Sequence, residues 1–140
     1  MLDCVIIGGG MAGISAALTL KAQGRDFVLL GAGASAKIKK AERIMNYPAF
    51  PGGTGAELAE ILARQVAAAG IKTCEGRAAG VYAGGGKVTV QTSLDKWLEA
   101  KTVILATGAG AAASVPGESE YIGRGVSYCA TCDGALYKGK

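Results

Sequence analysis

The sequence predicts an α/β fold, and three observations carry the prediction. A short apolar run at residues 3–7 stops at three glycines, a helical apolar spacing follows over residues 11–23, and a second apolar run lies at residues 27–30. This order, inside about 30 residues, is a βαβ unit with a parallel strand pair and a right-handed crossover. From residue 71 onward the pattern changes to short strands with period two, which adds a β-meander to the parallel core.

Taken in order, residues 3–7 (Asp-Cys-Val-Ile-Ile) read as a strand buried on both faces. Ile14, Ala17, Leu18 and Leu20 share one side of the following helix, and Gly24 supplies its C-terminal stop. Residues 27–30 (Phe-Val-Leu-Leu) form the second buried strand. Residues 31–51 lack periodicity and hold two of the three prolines, so they read as one long loop, a length that is usually functional in a compact domain. Thr54 caps a second helix that runs through Gly70, with Glu57 completing a capping box. Leu58, Ile61, Leu62 and Val66 form its apolar stripe.

Strands are expected at residues 71–74, 78–83 and 87–92, the last two joined by a Gly84-Gly85-Gly86 turn. A weak strand at 97–100 follows a turn at 93–95, and residues 102–106 form another buried apolar strand. Small residues 111–114 and then Val115-Pro116-Gly117 read as a connection. Residues 125–128 fit one more strand before Cys129-Ala130-Thr131-Cys132-Asp133-Gly134. The organisation expected is residues 1–113 as one domain and 114–140 as a hinge and the start of a second.

Composition narrows the chemistry. The chain has 140 residues, 23 glycines, four cysteines and no histidine. Without histidine there is no Ser-His or Cys-His nucleophile, no His-ligated haem and no HExxH zinc site. Acid/base chemistry falls to Asp, Glu, Lys, Tyr or Cys. The net charge of +4 is mild, and its densest part (Lys37, Lys39, Lys40, Arg43) has no interleaved aromatics. That run reads as a solvated loop, and no nucleic-acid partner is expected. No apolar stretch reaches the roughly 18 residues of a membrane span, and the first apolar run has no basic segment before it. Four unevenly spaced cysteines do not make a secreted disulfide framework. A cytoplasmic protein is expected.

The glycine turn at residues 8–13 satisfies GxGxxG through Gly8, Gly10 and Gly13. The first glycine makes the turn, the second lets backbone approach a pyrophosphate, and the third lets helix and strand pack closely. Met11, Ala12 and Gly13 then present the first N–H groups of the helix to the anion. A glycine-rich structural turn is the plain alternative, but the strand before the motif and the helix after it are the surroundings that dinucleotide binding requires. The acidic residue expected about 20 residues on, for the ribose hydroxyls, is missing. The second strand ends at Gly31, and nothing between Asp26 and Glu42 is acidic. The ribose is then left to backbone groups near Gly31 or to Lys37.

Cys129-Ala130-Thr131-Cys132 is spaced to close a disulfide, and such a pair beside a βαβ pattern reads as redox-active. A helix opening at Cys132 would favour its thiolate, and Asp133 is placed to donate or accept a proton. The plain alternatives are a pair of inert thiols or half of a zinc site; zinc would need Cys4 and Cys74 as further ligands, which the spacing does not favour, so no metal is expected. Cys4 and Cys74 read as small core residues.

Val5 through Gly13, the Asn46-Tyr47-Pro48 loop, Val103-Ile104-Leu105-Ala106-Thr107-Gly108-Ala109 and residues 123–134 occur in one order. That order resembles the N-terminal half of the low-molecular-weight thioredoxin reductases, flavin-dependent disulfide reductases. The resemblance implies a Rossmann-like βαβ FAD-binding domain with an inserted β-meander, then the start of a second α/β domain bearing CxxC. It makes Gly8, Gly10 and Gly13 the FAD pyrophosphate loop. It sets Asn46, Ala106, Thr107 and Gly108 near the flavin, and Arg77 and Ala78 near the adenine. Cys132 would face the flavin ring, Cys129 would attack the substrate disulfide, and Asp133 would serve as acid/base. Thioredoxin or a thioredoxin-like protein is the implied substrate, and a homodimer the implied assembly.

The family's usual acidic residue and Gly-Gly-Gln after the second strand are replaced here by Gly31-Ala32-Gly33 and a basic loop. This is similar to an atypical branch without NADPH motifs, some of whose members accept electrons from ferredoxin. NADPH has no supporting residues in this chain, so NADPH and ferredoxin both stand as donors. Members of the family are longer, so the chain is expected to be its N-terminal part. A non-catalytic nucleotide-binding module whose CxxC senses oxidation is the alternative.

Overall fold

The computed structural model describes residues 1–31, 36–39, 41–108, 115–121, 124–126 and 137–139. They belong to two compact units, Met1–Ala109 and Gly110–Lys140.

The first unit is built on a six-stranded mixed sheet flanked by helices. Strand β1 (Leu2–Ile7) leads to helix α1 (Met11–Ala22) and strand β2 (Phe27–Leu30), which lies parallel to β1 with Cys4 opposite Phe27 and Ile7 opposite Leu30. A short α2 (Ala36–Lys39) precedes α3 (Gly55–Ala68). Strands β3 (Thr73–Cys74), β4 (Ala78–Gly84), β5 (Lys87–Thr92) and β6 (Trp97–Leu105) complete the order β3-β2-β1-β6-β5-β4. The Rossmann-like βαβ core and the inserted meander are therefore both present.

Both long helices end as their glycines demand. In α1 the Gly24 N–H donates to Lys21 O (3.1 Å) and the Arg25 N–H to Leu20 O (3.0 Å). In α3 the Gly70 N–H donates to Ala67 O (3.0 Å) and the Ile71 N–H to Val66 O (3.2 Å). These are paired Schellman bonds, which satisfy the last carbonyls and stop each helix two residues before its glycine. The second helix thus ends at Ala68, not at Gly70.

Two apolar clusters sandwich the sheet. Cys4, Ile6, Phe27 and Leu29 pack against Ile14 and Ala17 of α1 and Leu58 and Leu62 of α3. On the other face Val5, Ile7, Val28 and Leu30 pack against Val90 and Ala100, so the meander covers what a second helical layer would otherwise cover. Cys4 is buried and Cys74 is half-buried against the second cluster, and both are free thiols.

Several expectations are corrected. Residues 97–100 and 102–106 are one strand, not two. The first half of β6 pairs antiparallel with β5 and the second half parallel with β1, and Ala100 partners both Val88 and Leu2. A strand that changes neighbours changes its apolar period halfway, which imitates a break in the sequence. The strand is also less buried than expected, because Leu105 is 68% exposed. Ile61 is exposed and Ala59 takes its place among the buried residues of α3. The long loop contains α2 and an Ile44–Gly53 bridge. Only Thr73–Cys74 of residues 71–74 are strand. Gly84 belongs to β4, and the turn is made by Gly85 and Gly86 with φ of 60° and 74°, the paired positive values of a type I′ hairpin.

In the second unit, helix α4 (Glu118–Tyr121) is a single turn. The Val115 N–H donates to the Glu118 carboxylate (2.7 Å), and the Val126 N–H donates to Tyr121 O (3.0 Å). Cys129, Cys132, Asp133 and residues 127–128 of the strand expected at 125–128 lie outside the described residues.

Candidate functional site: the crevice at the strand tips

The C-terminal tips of β1, β2, β3 and β6 meet the N-terminus of α1. Gly8 leaves β1 with φ 117°, a value costly for any residue with a β-carbon. Its N–H donates to Leu30 O (2.9 Å), which ties the tips of β1 and β2 together. A β-carbon on Gly8 would overlap the Ala106 carbonyl and lie 3.2 Å from the Thr107 nitrogen. A β-carbon on Gly13 would overlap the Gly8 carbonyl oxygen and lie 3.4 Å from the Ala106 β-carbon. Gly8, Gly13 and Ala106 therefore form one close-packed contact between the turn, the helix and β6. The Ala106 N–H donating to Ile7 O (2.8 Å) holds β6 in that place.

Gly10 is the N-cap of α1 in extended conformation, and its carbonyl accepts the Ile14 N–H (2.9 Å). No side chain caps this helix and no acidic residue lies in its first turn. The first N–H groups, including those of Met11, Ala12 and Gly13, have no intrahelical acceptors, and the positive end of the helix dipole is left uncompensated. Helix α3 is the contrast. The Thr54 N–H donates to the Glu57 carboxylate (2.7 Å) and the Glu57 N–H to Thr54 Oγ1 (3.2 Å), so α3 fills its own N-terminus. The Thr54 backbone N–H, and then its hydroxyl, hold the Glu57 carboxyl below the ordinary value of 4.5. Of the two long helices, α1 is the one open to an external anion. The contact among Gly8, Gly13 and Ala106 and this open terminus fit a diphosphate group.

The other expected residues surround that centre unequally. The Gly31 N–H donates to Cys74 O (2.9 Å), and a β-carbon there would lie 4.0 Å from the Gly9 nitrogen and 3.6 Å from the Gly76 oxygen. Gly31 is thus brought to the turn. The Arg77 N–H donates to Ser93 Oγ (3.0 Å) and the Ser93 N–H to Arg77 O (2.8 Å), which fixes the start of β4 at Ala78 beside the 93–95 turn. Thr107 and Gly108 continue from the tip of β6, with Gly108 at φ 72°. Asn46 is exposed and follows the Ile44–Gly53 bridge. Lys37 lies on α2. Gly76 was not among the expected residues, yet a β-carbon there would press on Ser93 Oγ (3.1 Å) and Leu94 Cγ (3.3 Å). Unlike Gly8 and Gly31, Gly76 does not follow an apolar run, because Glu75 precedes it, so no local pattern marks it in the sequence. Among the described residues no group of three or more His, Cys, Asp or Glu could hold a metal ion, and no helix is long and apolar enough to cross a membrane.

The sequence pattern of the pyridine nucleotide-disulphide oxidoreductases matches residues 2–140. The chain is 37% identical over 139 residues to the thioredoxin reductase of Aquifex aeolicus (strain VF5), covering 97% of this chain and 43% of that protein. It superposes on the crystal structure of thioredoxin reductase from Streptococcus pyogenes with a TM-score of 0.79 at 36% identity, covering 97% of this chain and 45% of that one. A ferredoxin-flavin thioredoxin reductase from Clostridium acetobutylicum gives a TM-score of 0.75 at 36% identity, covering 99% of this chain and 48% of that one. The chain thus spans about half the length of the curated relatives it matches. With the pattern matched across nearly every residue and the glycine crevice built as described, the chain belongs to the pyridine nucleotide-disulphide oxidoreductase family.

Proposed function

We propose that this chain is the FAD-binding part of a flavin-dependent disulfide reductase of the thioredoxin reductase type. The observation that carries the reading is the contact of Gly8, Gly13 and Ala106 beneath an uncapped α1 N-terminus. Gly8, Gly10 and the N–H groups of Met11, Ala12 and Gly13 would hold the FAD diphosphate. Arg77 and Ala78 would lie at the adenine, and Asn46, Ala106, Thr107 and Gly108 at the flavin. Gly31 and Lys37 would stand near the ribose. Residues 1–113 would form this domain and 114–140 the hinge and start of a second.

Bound FAD would supply two-electron chemistry to the cysteine pair. As the attacking thiolate, Cys129 opens the substrate disulfide and forms a mixed disulfide. Cys132 resolves it, so the substrate leaves as a dithiol and Cys129–Cys132 becomes a disulfide, with Asp133 handling the proton. The substrate would be thioredoxin or a thioredoxin-like protein, and the electron donor NADPH or ferredoxin. The relatives' names support this reading. A cytoplasmic homodimer completes the proposal.

The test uses the full-length protein that contains this chain. Anaerobic titration with NADPH, and separately with reduced ferredoxin, should bleach the flavin spectrum with at least one of them. Cys129→Ser and Cys132→Ser should keep the flavin and lose disulfide reduction. Disulfide reduction by both variants would overturn the assignment of the cysteine pair.

A further inference from the structure

A βαβ dinucleotide crevice ordinarily carries a carboxylate at the tip of its second strand, where it accepts hydrogen bonds from ribose hydroxyls. Here that tip is Gly31, and no acidic residue occurs between Asp26 and Glu42. An acidic residue stands at the tip of the adjoining strand instead. Strands β2 and β3 run parallel with Leu30 opposite Cys74, and the Gly31 N–H bond to Cys74 O (2.9 Å) carries the ladder one step further. Glu75 is therefore the residue beside Gly31.

The space that a side chain at position 31 would enter is bordered by the Gly76 oxygen, 3.6 Å from the β-carbon position, and by the Gly9 nitrogen at 4.0 Å. The first is the residue after Glu75 and the second lies in the glycine turn. Leu30 and Cys74 both pack toward the meander, so positions 31 and 75 are next in register on strands that alternate away from it. Glu75 is exposed, and among the described residues its carboxylate has no ion-pair or hydrogen-bond partner. Both of its oxygens are available to hydroxyl donors.

We infer that Glu75 is the ribose-binding acid of this chain, the carboxylate having moved from the tip of β2 to the tip of β3. The inference rests on the FAD reading above and extends it to the adenosine ribose. It explains how a crevice with glycine at position 31 holds a ribose without an acidic residue on its own second strand.

The experiment is competition for flavin in the full-length protein after its flavin is removed. FAD rebinding is followed by flavin fluorescence, with ADP and dideoxy-ADP (which lacks both ribose hydroxyls) as competitors. The unmodified protein should prefer ADP over dideoxy-ADP by roughly tenfold, the worth of a hydrogen bond to a charged acceptor. Glu75→Ala should bring that ratio close to one, and Glu75→Gln should leave it between the two. Melting temperatures should stay unchanged, since the side chain is exposed and makes no ion pair or hydrogen bond among the described residues. An equal ratio in the unmodified protein and Glu75→Ala would overturn the inference and leave the FAD reading standing. Failure of the unmodified protein to bind FAD or ADP at all would overturn both.

Discussion

The α-carbon of Gly13 sits against the carbonyl oxygen of Gly8, so close that a β-carbon at position 13 would overlap it. The opposing atom is backbone, pinned by the Gly8 N–H bond to Leu30 and flanked by Ala106, so it cannot move aside cheaply. Gly13→Ala should cost about 1–3 kcal/mol, as overpacked sites do. It should also push α1 away from the diphosphate position. Flavin retention through purification and a thermal melt check both. Because the helix itself gains from alanine, normal flavin retention with raised stability would contradict the packing described.

Thr54 and Glu57 close a reciprocal cap at the start of α3. Thr54→Ala should lower stability by about 1 kcal/mol. Since each side chain accepts the other's N–H and the two also bond directly, adding Glu57→Ala to Thr54→Ala should cost less than the two single changes summed. Urea unfolding of the four proteins in the cycle measures it, and simple additivity would mean the box is not formed.

Asp3 fastens the start of β1 to the residue before β2 and to the middle of β6. Its carboxylate accepts from Lys101 Nζ (2.6 Å) and from the Asp26 N–H (3.1 Å), and its carbonyl accepts from Thr102 Oγ1 (2.8 Å). The Lys101 hydrogen bond first, and the Asp26 N–H second, hold the Asp3 carboxyl below its ordinary 3.8. A depressed carboxyl contributes stability that is present above the unfolded value and lost as pH falls through the folded one. The unmodified protein should therefore lose stability on acidification below about pH 4, and Asp3→Asn should flatten that loss. Melting temperature against pH, with salt held constant, reads the difference.

Much of the crevice was legible because its requirements are local. Gly8, Gly10 and Gly13 announce the turn by spacing, and Thr54 with Glu57 announces the start of α3. What was hidden depends on partners distant in sequence. Nothing near Ala100 signals that it pairs with both Val88 and Leu2, so β6 read as two strands. Ile61 reads as core by period, but its place on α3 turns it outward while Ala59 packs inward. Arg77 and Ser93 are drawn together across sixteen residues by the Arg77 N–H bond to Ser93 Oγ and the Ser93 N–H bond to Arg77 O, which no periodicity encodes. Tight turns are written in single residues, whereas the neighbours of a strand are written across the whole chain.

Tyr82 and Trp97 stack on the outer face of the meander, with ring centroids 6.0 Å apart and planes at 30°. Both are more than half exposed, so their contact is with each other and the sheet surface rather than the core. Tyr82 also shields Gly80, where a β-carbon would lie 2.6 Å from its hydroxyl, and donates to Gln91 Oε1 (3.3 Å). A ring laid over a glycine supplies an edge strand with the contact that the glycine lacks. Among the described residues strand β4 is the last in the sheet order. Tyr82→Ala should therefore cost about 1 kcal/mol through the lost aromatic pair. It should also change the emission of Trp97, the only tryptophan. Tyr82→Phe keeps the ring and loses only the hydroxyl bond, so it should retain most of both. Equal losses in the two variants would assign the stability to the Gln91 hydrogen bond instead of the stack.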